Sequence, residues 1–191
     1  MTPLPARSAT RSHHDDSLVT DGRTDSVETR RLGRGMAVIR VLMGMTYLTN
    51  GIAKLAGLHR IEVGPYLANL INRRDARFIL NAEVNANARH HIPLIGRITN
   101  DLVLPHWSLF GWGLTAVEIV GGALLVAGLA SRLGALITLG PAVFLFFVYF
   151  ANDRWLPEQP LGLVPLVLLA LIPAGRFWGL DRRFAGRGWP F

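Results

Sequence analysis

Residues 40–55 read RVLMGMTYLTNGIAKL. The stretch has the apolar bulk of a membrane-crossing helix, yet it opens on Arg40, is interrupted by Asn50 and nearly closes on Lys54. At about 100° per residue, Arg40, Gly44, Tyr47, Gly51 and Lys54 share roughly a quarter of the helix circumference, with Asn50 beside them. Val41, Leu42, Leu48, Ile52 and Leu55 take the remainder. One face is thus small and polar, suited to close approach of a second helix, and the rest suits lipid or other helices.

The chain around this stretch supports a membrane reading. Of its 191 residues 50% are hydrophobic and only 17% charged, with mean hydropathy +0.31, more apolar than a water-soluble domain usually tolerates. The apolar residues gather into four blocks, about 36–57, 108–130, 133–151 and 160–175, against the ~20 residues a helix needs to cross the hydrocarbon. The fourth is short and holds Pro160, Pro165 and Pro173, so Phe177 and Trp178 are expected to complete it. Only residues 130–132 and the run NDRWLPEQ separate the later blocks, which makes those helices antiparallel neighbours. The expected fold is all-α: an integral membrane four-helix bundle over 36–180, between a disordered tail at 1–35 and an Arg-rich tail at 181–191. The long connection 58–107 has Ile92, Ile95, Ile98 and Leu102 at helical spacing, which predicts short amphipathic helices on the membrane surface.

Charge sets the orientation. Arg23, Arg30, Arg31, Arg34, Arg132, Arg176, Arg182, Arg183 and Arg187 fall on one side of the four spans. Arg60, Arg73, Arg74, Arg77, Arg89, Arg97 and Arg154 fall on the other. Arginines in a loop as long as 58–107 count less, so both termini are placed in the cytoplasm, the loop outside, and the chain in the cell membrane. The net charge of +7 does not indicate nucleic acid, because the arginines sit at block edges, where they meet lipid headgroups. The chain has no cysteine, which excludes a dithiol centre, thiolate zinc, a cysteine-held iron–sulfur cluster and covalent c-type haem.

In the second block, SLFGWGLTAVEIVGGALLVAGLA, Glu118 shares a face with Gly111, Thr115 and Gly122. An ionised carboxylate at mid-bilayer is costly, so Glu118 needs protonation, a hydrogen bond or a partner inside the bundle. The end of the first helix and the start of the second lie on the same side of the membrane. Measured from there, Glu118 and Tyr47 sit at ~15 Å depth, Asn50 at ~10 Å and Lys54 at ~5 Å. Side chains lean towards their own helix N-terminus, so on antiparallel helices Lys54 and Glu118 approach each other. The expectation is a polar pocket of Tyr47, Asn50, Lys54 and Glu118 opening to the outer face. Arg40 leans the other way and is expected to snorkel to the headgroups as an interfacial anchor.

His59, His90, His91 and His106 have no metal-ligand spacing, so no metal site is expected. Trp107, Trp112, Trp155, Trp178 and Tyr149 read as interfacial aromatic belts.

Two stretches carry a resemblance to a known family. RVLMGMTYLTNGIAKL resembles the opening helix of the DoxX family of small four-helix membrane proteins, especially its DoxD-like branch, in Arg40, Gly44, Gly51 and Lys54. LFGWGLTAVEIVGGALLVAGLASRLGAL is similar to that family's Glu-x-x-x-Gly helix and Gly-Leu-x-x-Arg turn, in Glu118, Gly122, Gly128, Leu129 and Arg132. The resemblance covers about 36–175. It implies thiosulfate oxidation coupled to membrane quinone, and hence a quinone-facing site. The expected function is therefore the membrane subunit of a quinone-linked oxidoreductase, with Tyr47, Asn50, Lys54 and Glu118 binding quinone or an anionic substrate. Tyr47, Lys54 and Glu118 would be the catalytic candidates. Without flavin, haem, iron–sulfur or metal signatures, such a chain needs a second redox subunit or direct transfer from substrate to quinone. The alternative is a non-enzymatic scaffold in the bilayer that recruits a redox or envelope-maintenance partner, so whether the chain is an enzyme stays open at this point.

Overall fold

In a computed structural model of the chain, residues 15–85, 92–150, 158–184 and 186–187 are described. They are predominantly helical: α1 (Asp15–Ala56), α2 (Arg73–Asn85), α3 (Pro93–Arg97), α4 (Trp107–Ala127), α5 (Ser131–Tyr149) and α6 (Glu158–Leu171). Three segments are long and apolar enough to cross a membrane, Glu28–Ala56, Trp107–Ala127 and Ser131–Tyr149, and α6 adds the shorter apolar run Leu161–Leu171. Leu42, Met45, Ile52, Leu109, Val120, Leu136, Leu161 and Leu171 all lie exposed on these four helices, forming surfaces suited to acyl chains.

α1 packs along α4, α4 on α5, α5 on α6, and α6 back against α1. The α1–α4 seam follows a seven-residue rhythm. On α1, Arg40, Gly44, Gly51 and Lys54 are buried with Tyr47 half-buried, and on α4 Gly111, Thr115, Glu118, Gly122 and Leu125 are buried. Alternating steps of four and three residues keep one stripe in contact along a slightly supercoiled pair. Glycine sets the spacing: a Cβ on Gly122 would lie 2.5 Å from the Leu48 nitrogen, and one on Gly44 2.7 Å from the Val126 nitrogen. Backbone meets backbone there, as small residues permit within a membrane. α4 ends on Gly128 (φ 62°), with the Leu129 N–H donating to Leu124 at 3.1 Å and the Gly128 N–H to Leu125 at 3.2 Å, a Schellman ending that turns the chain into α5.

Three expectations change. Residues 15–35, whose polar composition marks them as part of a tail, continue α1 outward from its apolar part. Once a helix is nucleated each added residue costs little. Residues 1–14 lie outside the described residues. The connection 58–107 holds not only helices but an antiparallel hairpin of β1 (Arg60–Val63) and β2 (Tyr66–Asn69), turned at Gly64 with φ +59°. Beyond it, α2 packs against α4 and α5, and Leu80 and Val84 join Val103 and Val148 in a small core with Ile95, Ile98, Phe110 and Phe144. Finally, the start of the segment read as an Arg-rich tail is anchored: the 3₁₀ turn Leu180–Phe184, with the one before it at Ala174–Arg176, folds back on the end of the bundle where α4 turns into α5, and residues 185 and 188–191 lie outside the described ones. The physical reason is Asp181, which is fully buried.

Candidate functional site

Lys54, in the last turn of α1, and Glu118, at the middle of α4, meet across the seam. The Lys54 ammonium lies 2.9 Å from Glu118 Oε2 and donates a hydrogen bond to Oε1 at 3.0 Å. Oε2 is close enough for the ionic attraction but takes no hydrogen bond of its own. The residues retain only 4% and 8% of their accessible surface. Two oppositely charged groups out of water attract strongly, and each is costly without the other.

The surrounding stripe explains the geometry. Gly51, one turn before Lys54, brings α1 so near that an added Cβ would lie 2.7 Å from the Ile119 side chain. The ammonium therefore reaches across the seam rather than along it. Thr115, one turn from Glu118, bonds its own helix at the Gly111 carbonyl, 2.8 Å away, and leaves the pair alone. Tyr47 is half-buried, and its ring packs on the core of Leu125, Leu166 and Leu169. Asn50 is half-buried on the same side of α1, and among the described residues it makes no hydrogen bond to the pair. Of the four expected pocket residues, the structure thus joins Lys54 with Glu118, and among the described residues neither Tyr47 nor Asn50 is hydrogen-bonded to them.

Arg40 departs from the expectation of a snorkelling anchor: it is fully buried. Its Nη2 donates to the Trp178 carbonyl at 3.2 Å, because residues 174–184 close over it. The other structural positions fall as follows. Gly44 and Gly122 face each other in the seam, and Arg132 donates to the Leu171 carbonyl at 3.1 Å, tying α5 to the end of α6. His106 sets a ring nitrogen 3.0 Å from the Leu102 carbonyl, and His90 and His91 lie outside the described residues. Among the described residues no three acidic or histidine side chains converge as a metal site would require. The residue that sequence reasoning missed is Asp181. Its one signal was to be the only acid after Glu158. Compared with protein-family models, with curated proteins and with solved structures, the chain matches none.

Proposed function

We propose that the chain is an integral membrane protein of the DoxX type whose Lys54–Glu118 pair serves a quinone-linked oxidoreductase. In this reading α6 is a fourth, shorter span, although Phe177 and Trp178 do not lengthen it: the helix ends at Leu171 and these residues fold over Arg40. The termini are cytoplasmic, and the hairpin with α2 and α3 forms an outer cap. The observation that carries the reading is the buried ion pair inside the apolar stretches of α1 and α4. Evolution can replace such a pair by apolar side chains at no loss of stability, so its presence at lipid depth favours a chemical role.

The chemistry suits the residues. Reduction of a quinone takes up two electrons and two protons, and oxidation of two thiosulfates to tetrathionate releases two electrons. Lys54 can donate a hydrogen bond to a quinone carbonyl, or hold an anion by its charge. A lysine–glutamate pair also carries a proton that can sit on either partner without changing the net charge of the site, which suits passage to a reduced quinone oxygen. Tyr47, on the same stripe of α1 as Lys54, offers a hydroxyl to that route. With no cysteine in the chain, the electrons arrive through a second subunit or directly from the substrate.

Purified protein in lipid nanodiscs, assayed for thiosulfate-dependent quinone reduction, tests the reading beside Glu118→Gln and Lys54→Ala. Loss of turnover in both variants supports it, and wild-type protein without turnover, alone or with a candidate redox subunit, removes it. The scaffold reading has an observation of its own: Phe78 and Leu94 in the cap are 72% and 64% exposed, offering apolar side chains to a partner. If the wild-type chain is inactive yet the cap binds a defined redox protein, and Phe78→Ser weakens that binding, the scaffold reading replaces the enzymatic one.

A further inference from the structure

At the other end of the seam lies a corner that the ion pair does not explain. Arg40 is fully buried, and its Nε and Nη1 have no hydrogen-bond partner. The guanidinium is wedged between the backbones of Gly128 and Gly179, so that a Cβ on Gly128 would collide with Nη1. Directly after Gly128, α5 begins. The N–H groups of Ala130 and Ser131 and the Ser131 hydroxyl all donate to the Asp181 carboxylate, the last two at 3.1 and 2.8 Å. Asp181 is fully buried, and its own N–H donates to the Gly128 carbonyl at 2.7 Å. It forms no ion pair with Arg40, whose Nη2 donates instead to the Trp178 carbonyl.

These donors are arranged as for an anion. The amino end of a 19-residue helix presents free N–H groups and the positive end of its dipole. A serine hydroxyl adds a third donor and the guanidinium a full charge with two unpartnered nitrogens. Asp181 satisfies the helix end but leaves Arg40 wanting, because one carboxylate does not span both. The segment that delivers Asp181 is also strained. Trp178 (φ 54°) and Ala130 (φ 45°) are the two non-glycine residues with positive φ among those described, and they flank the contact. Side chains rarely adopt this conformation unless the surroundings impose it.

We propose that this corner is a binding site for a phosphate-type oxyanion, closed by residues 174–184, in which Asp181 is a built-in competitor. With the segment lifted, a tetrahedral oxyanion has enough acceptor atoms to take the Ala130 and Ser131 amides, the Ser131 hydroxyl and the Arg40 fork together. Arg182 and Arg183, exposed on the same segment, raise the local concentration of anions. The site stands apart from the Lys54–Glu118 pair, about 21 Å away along α1, and does not depend on the quinone reading. The oxyanion is either free phosphate or the headgroup of an anionic lipid.

Limited trypsin digestion of the purified full chain reads the opening of the segment, through cleavage after Arg182 and Arg183. In detergent, inorganic phosphate added at constant ionic strength against chloride is expected to speed this cleavage, and Arg40→Gln to abolish the response. Asp181→Asn should lower the phosphate needed by roughly tenfold. If the headgroup is the ligand, cleavage is faster in phosphatidylglycerol nanodiscs than in phosphatidylcholine ones, free phosphate is inert, and Arg40→Gln again removes the difference. Either pattern supports the site and identifies its source. Cleavage indifferent to both phosphate and anionic lipid, or a response retained in Arg40→Gln, overturns it. If Arg40→Gln does not fold, Arg40→Lys keeps the charge and loses the fork, and an unshifted dose in that variant overturns the proposal equally.

Discussion

Lys54 and Glu118 show how one residue's meaning depends on its partner. Removing either side chain alone strands a buried charge, which costs about 3–5 kcal/mol. Glu118→Leu and Lys54→Met are each expected to lose that much in reversible denaturant unfolding, while the double variant recovers most of it. Equal losses in all three would mean that the residues are not coupled. The pair was legible in the sequence because both positions lie on the same helical stripes and their depths can be counted from one shared membrane surface. Arg40 was misread for the opposite reason. Its cover is a carbonyl 138 residues away, and no spacing within α1 reports that a distant segment will seal the end where an arginine otherwise snorkels.

At the scale of the element, the close approach of α1 and α4 is a glycine property. Gly122→Leu has backbone atoms of Leu48 and Gly44 in its way, so the helices must separate. The expected cost is about 3 kcal/mol, with loss of the Lys54–Glu118 contact. Gly113 faces open space, so Gly113→Ala is expected to leave stability unchanged or raise it by up to about 1 kcal/mol. Thermal unfolding of both variants in one detergent checks the contrast. The stripes themselves were readable, since small and polar residues recur in steps of three and four. The hairpin at 60–69 was not recognised although it has a signal, Gly64-Pro65 between RIEV and YLAN: a turn dipeptide between short runs of strand formers. Helical spacing further along the same connection drew the reading towards helices alone.

For the whole molecule, the proposed topology sets the outer cap and the Asp181 segment on opposite sides of a membrane. The absence of native cysteine gives a clean background for labelling. Glu62→Cys, exposed in the hairpin, should react with a membrane-impermeant maleimide in intact cells. Arg183→Cys should react only after permeabilisation, and the reverse pattern would invert the orientation. The end of the molecule near Arg183 was the least legible part. A basic run after an apolar block looks like a solvated tail, and only tertiary contact shows that Asp181 is recruited to the amino end of α5.

If the Lys54–Glu118 pair is retained for chemistry and not for stability, the Lys54→Met/Glu118→Leu double variant stays folded and loses activity. In nanodiscs, beside wild-type protein of matched thermal stability, its thiosulfate-dependent quinone reduction should fall to background. A folded double variant that reduces quinone as fast as wild type would contradict the account.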